Sequence, residues 1–331
     1  MITPKPLVSA IVVNWNGADD LAEALPSLVT QTYPNLEILI ADNGSLDASE
    51  TVVESFRAEW LPLGRNLGLA GAMNEGARVA RGEFLLFLNN DMRFAPDFVE
   101  ILVAVLGADP EVFAVDAKQF DWEGKEVVHA CTTLRSGHRL RGDIPGWYFE
   151  QREATCPTLC VFGSAASLLV RKSMFEAVGG WDSKYPIGWE DVDLGWRAWA
   201  RGWKCLYVPK AICWHRVGAS SLTRGGSPAR LWGTLYGRLR FALKNLPLPD
   251  ATLLVAVTLG RVPFDLARGQ INLAATRMKA VLRLVGEMPE ILRARGLIRR
   301  SGGRSLRPFL AHLAHETRSE HEENVGWVST D

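Results

Sequence analysis

The stretch "FLLFLNNDMRFAPDF", residues 84–98, decides the fold. It opens with an apolar run, residues 84–88, of the kind found in strands that are buried on both faces of a sheet. The run stops at Asn89, Asn90 and Asp91, which bring two amides and a charge. Ligands of open α/β sheets bind at the carboxyl ends of the strands, so this abrupt change indicates that the strand ends facing a ligand.

The segments before this stretch alternate between strand patterns and helix patterns. The runs "LVSAIVVNW" and "LEILIAD" are rich in aliphatic residues, and leucines at helical spacing follow the first of them. This alternation predicts an α/β fold with a mostly parallel central sheet, right-handed crossovers and flanking helices. The carboxyl ends of such strands share one edge, where the sequence places Asn14, Asn16, Asp42, Asn43 and residues 89–91.

Length and charge suggest how the chain is divided. A chain of 331 residues predicts one large domain with an appendage, or two domains. We expect a sheet domain in residues 1–220 and a helical, basic C-terminal extension with a polar tail in residues 221–331. Eleven Lys and Arg residues stand against three acids between residues 261 and 310. The net charge of the whole chain is zero, so nothing indicates a nucleic-acid partner.

Cysteine usage and hydropathy predict a cytoplasmic protein. The five cysteines are odd in number and irregular in spacing, which favours free thiols in a reducing compartment over a disulfide framework or a zinc site. The N-terminus lacks the pattern of a secretory signal. The longest uncharged apolar run, "ATLLVAVTLG" at residues 251–260, is half of the roughly 20 residues that a membrane-spanning helix needs. Attachment to the inner face of the cytoplasmic membrane stays open.

Two groups of acids are candidates for chemistry. Asp91, at a strand end among amides, offers the oxygen ligands that Mg²⁺ or Mn²⁺ prefers beside phosphate, although a plain turn is the structural alternative. Further on, "GWEDVDLGWR" gathers Glu190, Asp191 and Asp193. The helix dipole favours acids in a first turn, and Asp193 predicts a helix-surface ion pair with Arg197. Glu190 and Asp191 are left as candidates for a general base.

His215 and Trp189 are weaker candidates when each is taken alone. His215 ends the strand-like run "KCLYVPKAICWH", and a lone histidine is more often structural than a ligand. Trp189 stands just before the acids, which suits stacking on a sugar ring. Trp196, Trp199 and Trp203 share one helical face, which indicates packing instead.

Together, five stretches resemble the inverting glycosyltransferases of family 2, whose fold is GT-A. They are "VSAIVVNWNG", "LEILIADNGSLDAS", "RNLGLAGAMNEGARVARGEFLLFLNNDM", "VFGSAASLLVRKSMFEAVGGWDSKYPIGWEDVDLGWRAWARGWKCLYVP" and "AICWH". The resemblance covers about residues 7–220 and keeps the family's order. The subgroup that the chain most resembles contains bacterial rhamnosyltransferase-like enzymes that build cell-surface polysaccharide.

This resemblance implies roles for the candidate residues. The "NND" triplet stands where the family's metal-binding DXD motif stands, so Asp91 would hold Mg²⁺ or Mn²⁺ on the donor diphosphate, and His215 would complete the site. The "WED" triplet matches the site of the catalytic base, for which we favour Asp191 over Glu190. Trp189 would contact the acceptor. The donor-binding residues would be Asn14, Asp42, Asn66, Asn89 and Asn90, with Asp42 reading the pyrimidine base and Asn89 meeting the ribose through an amide.

The reaction implied by the resemblance moves a hexose, with rhamnose as one candidate, from a dTDP-sugar or UDP-sugar to a saccharide or lipid-linked saccharide. One attack from the far face would invert the anomeric centre. Two alternatives stay open, a sugar-phosphate nucleotidyltransferase and a non-catalytic scaffold with the same fold. The basic C-terminal segment also has two interpretations: helices that lie on an anionic membrane, or a helical lid or homodimer surface with solvated charges.

Overall fold

The computed structural model describes residues 5–138, 142–186, 188–216 and 228–300. The strands in these ranges are β1 (Val8–Asn14), β2 (Leu36–Asp42), β3 (Glu59–Pro62), β4 (Phe84–Asn89), β5 (Met92–Phe94), β6 (Val112–Asp121), β7 (Val127–His129), β8 (Cys131–Ser136), β9 (Trp147–Arg152), β10 (Thr158–Leu159), β11 (Ser167–Arg171) and β12 (Lys204–His215). The helices are α1 (Ala18–Val29), α2 (Ser49–Glu54), α3 (Gly68–Val79), α4 (Phe98–Ala108), α5 (Lys172–Val178), α6 (Glu190–Ala200), α7 (Pro228–Asn245), α8 (Leu248–Gly260), α9 (Val262–Ala267) and α10 (Ile271–Arg300).

The central strands form where the sequence has unbroken apolar runs. All seven residues of β1 are buried, as are the first five of β4. Successive side chains of a strand point to opposite faces, so Val8 and Val12 pack in one core while Ile11 and Val13 pack in the other. The sheet therefore has a hydrophobic core on each face.

The main sheet is mixed, with its longest strands running in one direction. Its order is β10-β12-β6-β11-β4-β1-β2-β3, with β5 paired to β12 and β7 paired to β6. Strands β1, β2, β3 and β4 are parallel neighbours, and so are β6 and β12. Strand β11 runs antiparallel to both β4 and β6, which gives these two the same direction. The carboxyl ends of all six strands therefore share one edge.

Helices cover both faces of this sheet. Helix α1 buries Leu21, Leu25 and Leu28 against one face, as their spacing predicts, and α4 packs beside it through Phe98 and Leu102. Helices α3, α5, α6 and α7 supply side chains to the core on the other face. This arrangement is the α/β architecture expected from the alternation of strand and helix patterns.

The C-terminal helices α7 to α10 follow β12. Helix α7 packs against α6, α8 and α10. No helix in residues 228–300, or elsewhere in the described ranges, is long and apolar enough to span a bilayer. The boundary predicted after residue 220 and the polar tail predicted at the C-terminus lie outside the described residues.

Candidate active site

Three of the donor-site candidates meet where β1, β2 and β4 end. Asn14 is fully buried, and its amide nitrogen lies 3.1 Å from Oδ1 of Asp42. The side-chain oxygen of Asn14 accepts a 2.8 Å hydrogen bond from Nδ2 of Asn90. Asp42 also accepts backbone hydrogen bonds from Gly44 at 3.1 Å and Ser45 at 2.9 Å. These side chains form a fixed polar floor at the carboxyl edge of the sheet.

Gly17 lets the loop after β1 approach this floor closely. A Cβ atom at this position would lie 2.0 Å from Nδ2 of Asn90 and 2.8 Å from Oδ1 of Asn14. Both distances are shorter than a van der Waals contact, so any side chain at position 17 would displace the two amides. The hydrogen bond between Asn14 and Asn90 therefore depends on glycine here.

Asn66 and Asn89 lie beside the floor. Asn66 is exposed, and its side-chain oxygen accepts a 2.8 Å hydrogen bond from the backbone of Gly68. Asn43 holds this loop to the end of β2, because it accepts from the backbone N–H of Leu67 at 2.9 Å and donates to the carbonyl of Gly68 at 3.2 Å. Asn89 is the last residue of β4 and is partly exposed. Donor contact by Asn66 and Asn89 stays a prediction.

Asp91 and His215 face each other at the same edge. Nε2 of His215 lies 3.3 Å from Oδ1 of Asp91, and this buried oxygen accepts no hydrogen bond from the residues that the structure describes. Nδ1 of His215 lies 3.0 Å from Oε1 of Gln119, which fixes the orientation of the ring. Such a pair fits a divalent cation that takes its other ligands from diphosphate oxygens and water. Within the described ranges, no group of three or more His, Cys, Asp or Glu could hold a metal by itself.

The backbone is strained just before the candidate base. Gly188 and Trp189 both have left-handed backbone conformations, with φ values of 72° and 73°, and α6 begins at the next residue. Positive φ is unusual for a tryptophan and is typical of functional sites. The ring of Trp189 packs between Phe149 and Phe241, with centroid distances of 6.0 Å and 5.4 Å. Trp189 is partly buried, and its contact with an acceptor stays a prediction.

Glu190 and Asp191 begin α6 in different surroundings. Glu190 is 6% exposed, and burial together with the charge of Asp191 raises its pKa to about 8. Burial also raises the pKa of Asp191, but the backbone N–H of Val192 and the charge of His129 oppose this increase, and the pKa is about 6. At neutral pH, Glu190 is therefore mainly protonated while Asp191 is mainly ionised.

Asp116 and His129 form a polar contact that no sequence motif predicted. Asp116 lies in the middle of β6 and is 1% exposed, and its Oδ2 atom is 2.5 Å from Nε2 of His129 at the end of β7. A charged residue inside the apolar run "VFAVDA" was the available signal, because a buried carboxylate needs a partner. The position of that partner depends on strand pairing, which the sequence pattern does not give.

Trp15 is a second residue near the candidate donor site that no sequence motif predicted. It follows Asn14 directly, and 45% of its surface is exposed. An exposed tryptophan at the end of a buried strand offers a flat apolar face next to the polar floor.

Asp193 and Arg197 form the predicted ion pair, but not on the helix surface. Nε of Arg197 lies 2.8 Å from Oδ2 of Asp193, and both side chains are buried. Lys244 and Asn245 of α7 complete the surroundings of Asp193 at 2.9 Å and 2.8 Å. The prediction of a surface pair was wrong because spacing along a helix does not show which face another helix covers. The predicted common face of three tryptophans is also incomplete, since α6 ends before Trp203.

Comparison with known proteins gives the class to which this site belongs. The family described as glycosyl transferase family 2 matches residues 9–179, just over half of the chain. The chain therefore belongs to this family of glycosyltransferases. The family that the sequence motifs indicated is confirmed.

Two relatives cover about the same part of the chain. The N-acetylglucosaminyl-diphospho-decaprenol L-rhamnosyltransferase of Mycobacterium tuberculosis is 28% identical over 248 residues, which are 67% of this chain and 79% of the relative. The O-antigen biosynthesis protein RfbC of Myxococcus xanthus is 32% identical over 70% of this chain, but the match spans 19% of that longer protein.

Solved structures with less than 20% identity share the fold. Staphylococcus aureus TarS 1-349 in complex with UDP-GlcNAc superposes with a TM-score of 0.57 and 15% identity over 96% of this chain and 92% of that chain. Mannosyltransferase PcManGT from Pyrobaculum calidifontis, in complex with GDP-Man and Mn²⁺, gives a TM-score of 0.53 and 18% identity over 90% and 86%. The predicted GT-A fold is thereby confirmed.

Proposed function

We propose that this glycosyltransferase acts in polysaccharide synthesis and transfers a hexose, with inversion, from a dTDP-sugar or UDP-sugar to a saccharide or lipid-linked saccharide. The observation that carries the proposal is the buried Oδ1 of Asp91, which accepts no hydrogen bond from the described residues and lies 3.3 Å from Nε2 of His215. The rhamnosyltransferase and O-antigen relatives support the substrate class.

The donor would bind along the carboxyl edge of the sheet. Its base would lie near Asp42 and Asn14, and the exposed ring of Trp15 would supply a stacking surface. Asn66, Asn89 and Asn90 would supply polar contacts to the rest of the nucleotide. The proposal predicts that the amides orient the donor, because Asn14 and Asn90 are already fixed by their mutual hydrogen bond.

Asp91 and His215 would hold the metal ion of the donor complex. A Mg²⁺ or Mn²⁺ ion there would neutralise the charge that builds on the departing nucleoside diphosphate. Gln119 would keep Nε2 of His215 directed to this position, since it engages the other ring nitrogen. The Mn²⁺ in the complexes of two structural neighbours supports this assignment.

Asp191 would serve as the general base. It is partly exposed and mainly ionised at neutral pH, so its carboxylate can take the proton from an acceptor hydroxyl as that oxygen attacks the anomeric carbon. Glu190 is buried and mainly protonated at the same pH, which disfavours it as the base. Attack from the face opposite the diphosphate inverts the anomeric configuration.

Donor binding can be tested without knowing the acceptor. Thermal-shift assays would compare UDP, dTDP and GDP, each with and without Mn²⁺ or Mg²⁺, because a ligand that binds only the folded state raises the melting temperature. We expect metal-dependent stabilisation by UDP or dTDP that Asp91→Asn removes. A folded wild-type protein that no diphosphate stabilises would contradict the proposal and favour a non-catalytic scaffold. Family membership already favours glycosyl transfer over nucleotidyl transfer.

We also propose that the C-terminal extension, residues 221–331, attaches the protein to an anionic membrane. Helix α10 carries an exposed apolar stripe at alternating spacings of four and three residues, made of Ile271, Ala275, Met278, Leu282, Val285, Pro289 and Leu292. We call these residues the α10 stripe. An apolar cavity of about 340 Å³ lies next to it, lined in part by Leu259, Leu284 and Val285. Both features suit a lipid surface and a lipid-linked acceptor.

The charges around the α10 stripe favour a membrane over a second copy of the chain. The exposed ionic side chains in α9, α10 and the adjoining turns include Arg261, Arg268, Lys279 and Arg293. The acids of this region are buried or partly buried, and their partners are basic: Asp265 pairs with Arg277, while Glu287 and Glu290 pair with Arg240. A dimer through this face would bring cations together, whereas anionic lipid headgroups would attract them.

A further inference from the structure

Asp116 and His129 form a buried pair that the proposed roles above do not use. Asp116 is 1% exposed, and the two side chains approach to 2.5 Å. Gly163 also packs closely on Asp116, because a Cβ atom at position 163 would lie 2.6 Å from Cβ of Asp116. Removing the Asp116 carboxylate from water costs free energy, so this side chain must be stabilised by its contacts in the protein.

A chain of hydrogen bonds joins this pair to the metal-site candidates. Oδ1 of Asp116 accepts from Oγ of Ser167 at 3.1 Å, and Oγ of Ser167 accepts from Nε2 of Gln119 at 3.0 Å. Oε1 of Gln119 then lies 3.0 Å from Nδ1 of His215, whose Nε2 faces Asp91. The chain runs through neighbouring strands β6, β11 and β12.

The direction of every bond in this chain follows from its ionised end. A carboxylate only accepts, so the hydroxyl of Ser167 must donate to Asp116 and accept from the amide of Gln119. The oxygen of Gln119 is then left to accept from Nδ1–H of His215. The Nδ1 atom of His215 is thereby engaged by Gln119, which leaves Nε2, on the side of Asp91, as the nitrogen that can ligate a metal.

Oδ2 of Asp116 contacts His129, whose charge affects the pKa of the candidate base Asp191. Burial alone would lower the pKa of His129, but the charges of Asp116 and Asp191 outweigh it and raise this pKa. The charge on His129 in turn opposes the upward effect of burial on the pKa of Asp191. A positive charge on His129 therefore favours the ionised form of Asp191.

We propose that Asp116 is a positioning residue: it fixes the ring of His129 and, through Ser167 and Gln119, directs Nε2 of His215 to the proposed metal position. This inference rests on the proposed function. It adds four residues, Asp116, Gln119, His129 and Ser167, to the residues on which transfer depends.

Asp191 and His129 affect each other's pKa, because each carries charge that acts on the other. Glu190 adds its own charge beside Asp191 when it ionises. Burial is the largest cause that raises the pKa values of the neighbouring thiols and phenol, and the charge of Asp116 adds to it, so these groups stay neutral near pH 7; they are Cys160, Cys205, Cys213 and Tyr207. Asp116 itself is held by Ser167, His129 and the backbone of Ala117.

The first test uses the metal-free protein and needs no activity. NMR titration of ¹⁵N-labelled histidine would follow the six histidines, with His129→Gln and His215→Ala assigning two of the signals. We expect His129 to titrate above the ordinary value of 6.5 and to shift down by about one unit or more in Asp116→Asn. In a second sample with Mg²⁺ and UDP or dTDP, we expect the proton of His215 on Nδ1, and we expect Gln119→Leu to lose this preference.

The second test measures the pH dependence of kcat/KM. In the wild type, the acid limb should report Asp191 near pH 6, and His129→Gln should move it upward by about one unit. If His129 had only a structural role, His129→Gln would lower kcat/KM at every pH without shifting the acid limb of the pH profile. Gln119→Leu is the matched control, because it should weaken metal-dependent donor binding and leave the limb in place.

The outcomes separate this inference from the proposed function. An unchanged His129 titration in folded Asp116→Asn would overturn the inference, as would an unmoved acid limb in an active His129→Gln enzyme. In both cases the proposed function would stand. Failure of the wild type to bind a nucleoside diphosphate would instead overturn the proposed function. If Asp116→Asn does not fold, Ser167→Ala tests the same chain, since it should release the His215 tautomer.

Discussion

Glu190 and Asp191 are adjacent in the chain, yet their carboxyl groups differ in burial and in partners. The Oε2 atom of Glu190 is buried without a hydrogen bond from the described residues, whereas Oδ1 of Asp191 accepts one from the backbone of Val192 at 2.8 Å. Such a pair, with pKa values separated by the surroundings, is a common arrangement for assigning one proton-transfer role. This difference gives the two carboxyl groups different protonation states near neutral pH.

The first prediction separates the two carboxyl groups by activity. Asp191→Asn should lower kcat at least about 100-fold, because an amide cannot take the acceptor's proton. Glu190→Gln should keep most of the activity, since the amide resembles the protonated acid that the enzyme already carries. Initial rates of transfer check both variants, and thermal shift with donor diphosphate and metal checks that binding survives. An active Asp191→Asn enzyme with an inactive Glu190→Gln enzyme would assign the base to Glu190.

The second prediction concerns stability and pH. The pKa of Glu190 is raised from 4.5 to about 8 in the folded protein, so the unfolded chain loses its proton first as the pH rises. The contribution of Glu190 to the free energy of unfolding therefore falls as the pH rises from 4.5 to about 8, because the folded state binds more protons there. Glu190→Gln removes this effect, and its advantage in melting temperature over the wild type should grow from pH 5 to pH 8. A constant difference across this range would contradict the raised pKa.

At this scale, the sequence predicted residues at strand ends better than residues inside strands. Asn14, Asp42 and Asp91 follow apolar runs, and strand ends in a parallel sheet share an edge whatever the rest of the fold does. Asp116 sits inside a run, and its partner His129 is assigned by the pairing of β6 with β7. That pairing involves an irregular register, which no local pattern in the sequence specifies.

Among the secondary-structure elements, α6 connects the site to the C-terminal helices. Asp193, one turn after the start of α6, is fully buried between Arg197 of its own helix and Lys244 of α7. Lys244 also reaches Asp182 at 2.8 Å. Burial alone would raise the pKa of Asp193, but the two cations hold it well below its usual range. Helix α7 thereby fixes the helix that presents the candidate base.

The third prediction tests this connection. Lys244→Met should lower the free energy of unfolding by about 3 kcal/mol, because the buried Asp193 and the partly buried Asp182 lose a shared cation. The exposed Lys279 offers a matched control, and Lys279→Met should change stability by less than about 0.5 kcal/mol. Urea unfolding measures both. Equal effects of the two substitutions would show that the buried charge contributes nothing specific.

The type of element β11 was predictable, but its direction was not. The run "ASLLVR" indicates a strand, and β11 forms there. Its position between β4 and β6, antiparallel to both, follows from long-range packing, since an apolar run reads the same for either direction. The sequence pattern therefore described a mostly parallel sheet, and the observed sheet has one reversed strand in its middle.

On the scale of the whole molecule, basic residues and exposed apolar side chains are concentrated in the C-terminal helices. The α10 stripe exposes Leu282 by 64% and Val285 by 63%, although the opposite side of α10 packs on α7. A helix that is apolar on two sides needs a second apolar environment. The basic residues beside the stripe make an anionic lipid surface the environment that we propose.

The fourth prediction is that the protein floats with anionic vesicles at low salt and is released as salt screens the headgroups. Leu282→Asp together with Val285→Asp should abolish flotation, because charges would replace the exposed apolar contacts. Leu46 is 96% exposed and lies in the loop after β2, so Leu46→Asp is the control for an added surface charge. If the wild type stays unbound and instead forms dimers that Leu282→Asp disrupts, the stripe is a contact between copies.

The buried ion pairs also limit how such enzymes could be recombined. Asp182 and Asp193 precede α7, whereas Arg240 and Lys244 belong to it, and each acid has a cation across this division within 3.1 Å. A chimera that joined this catalytic half to the helices of a relative would bury unmatched charges unless all four residues were inherited together. The C-terminal helices are therefore not an interchangeable module, and substitutions on their outer surface would be tolerated more easily than exchange of the whole set.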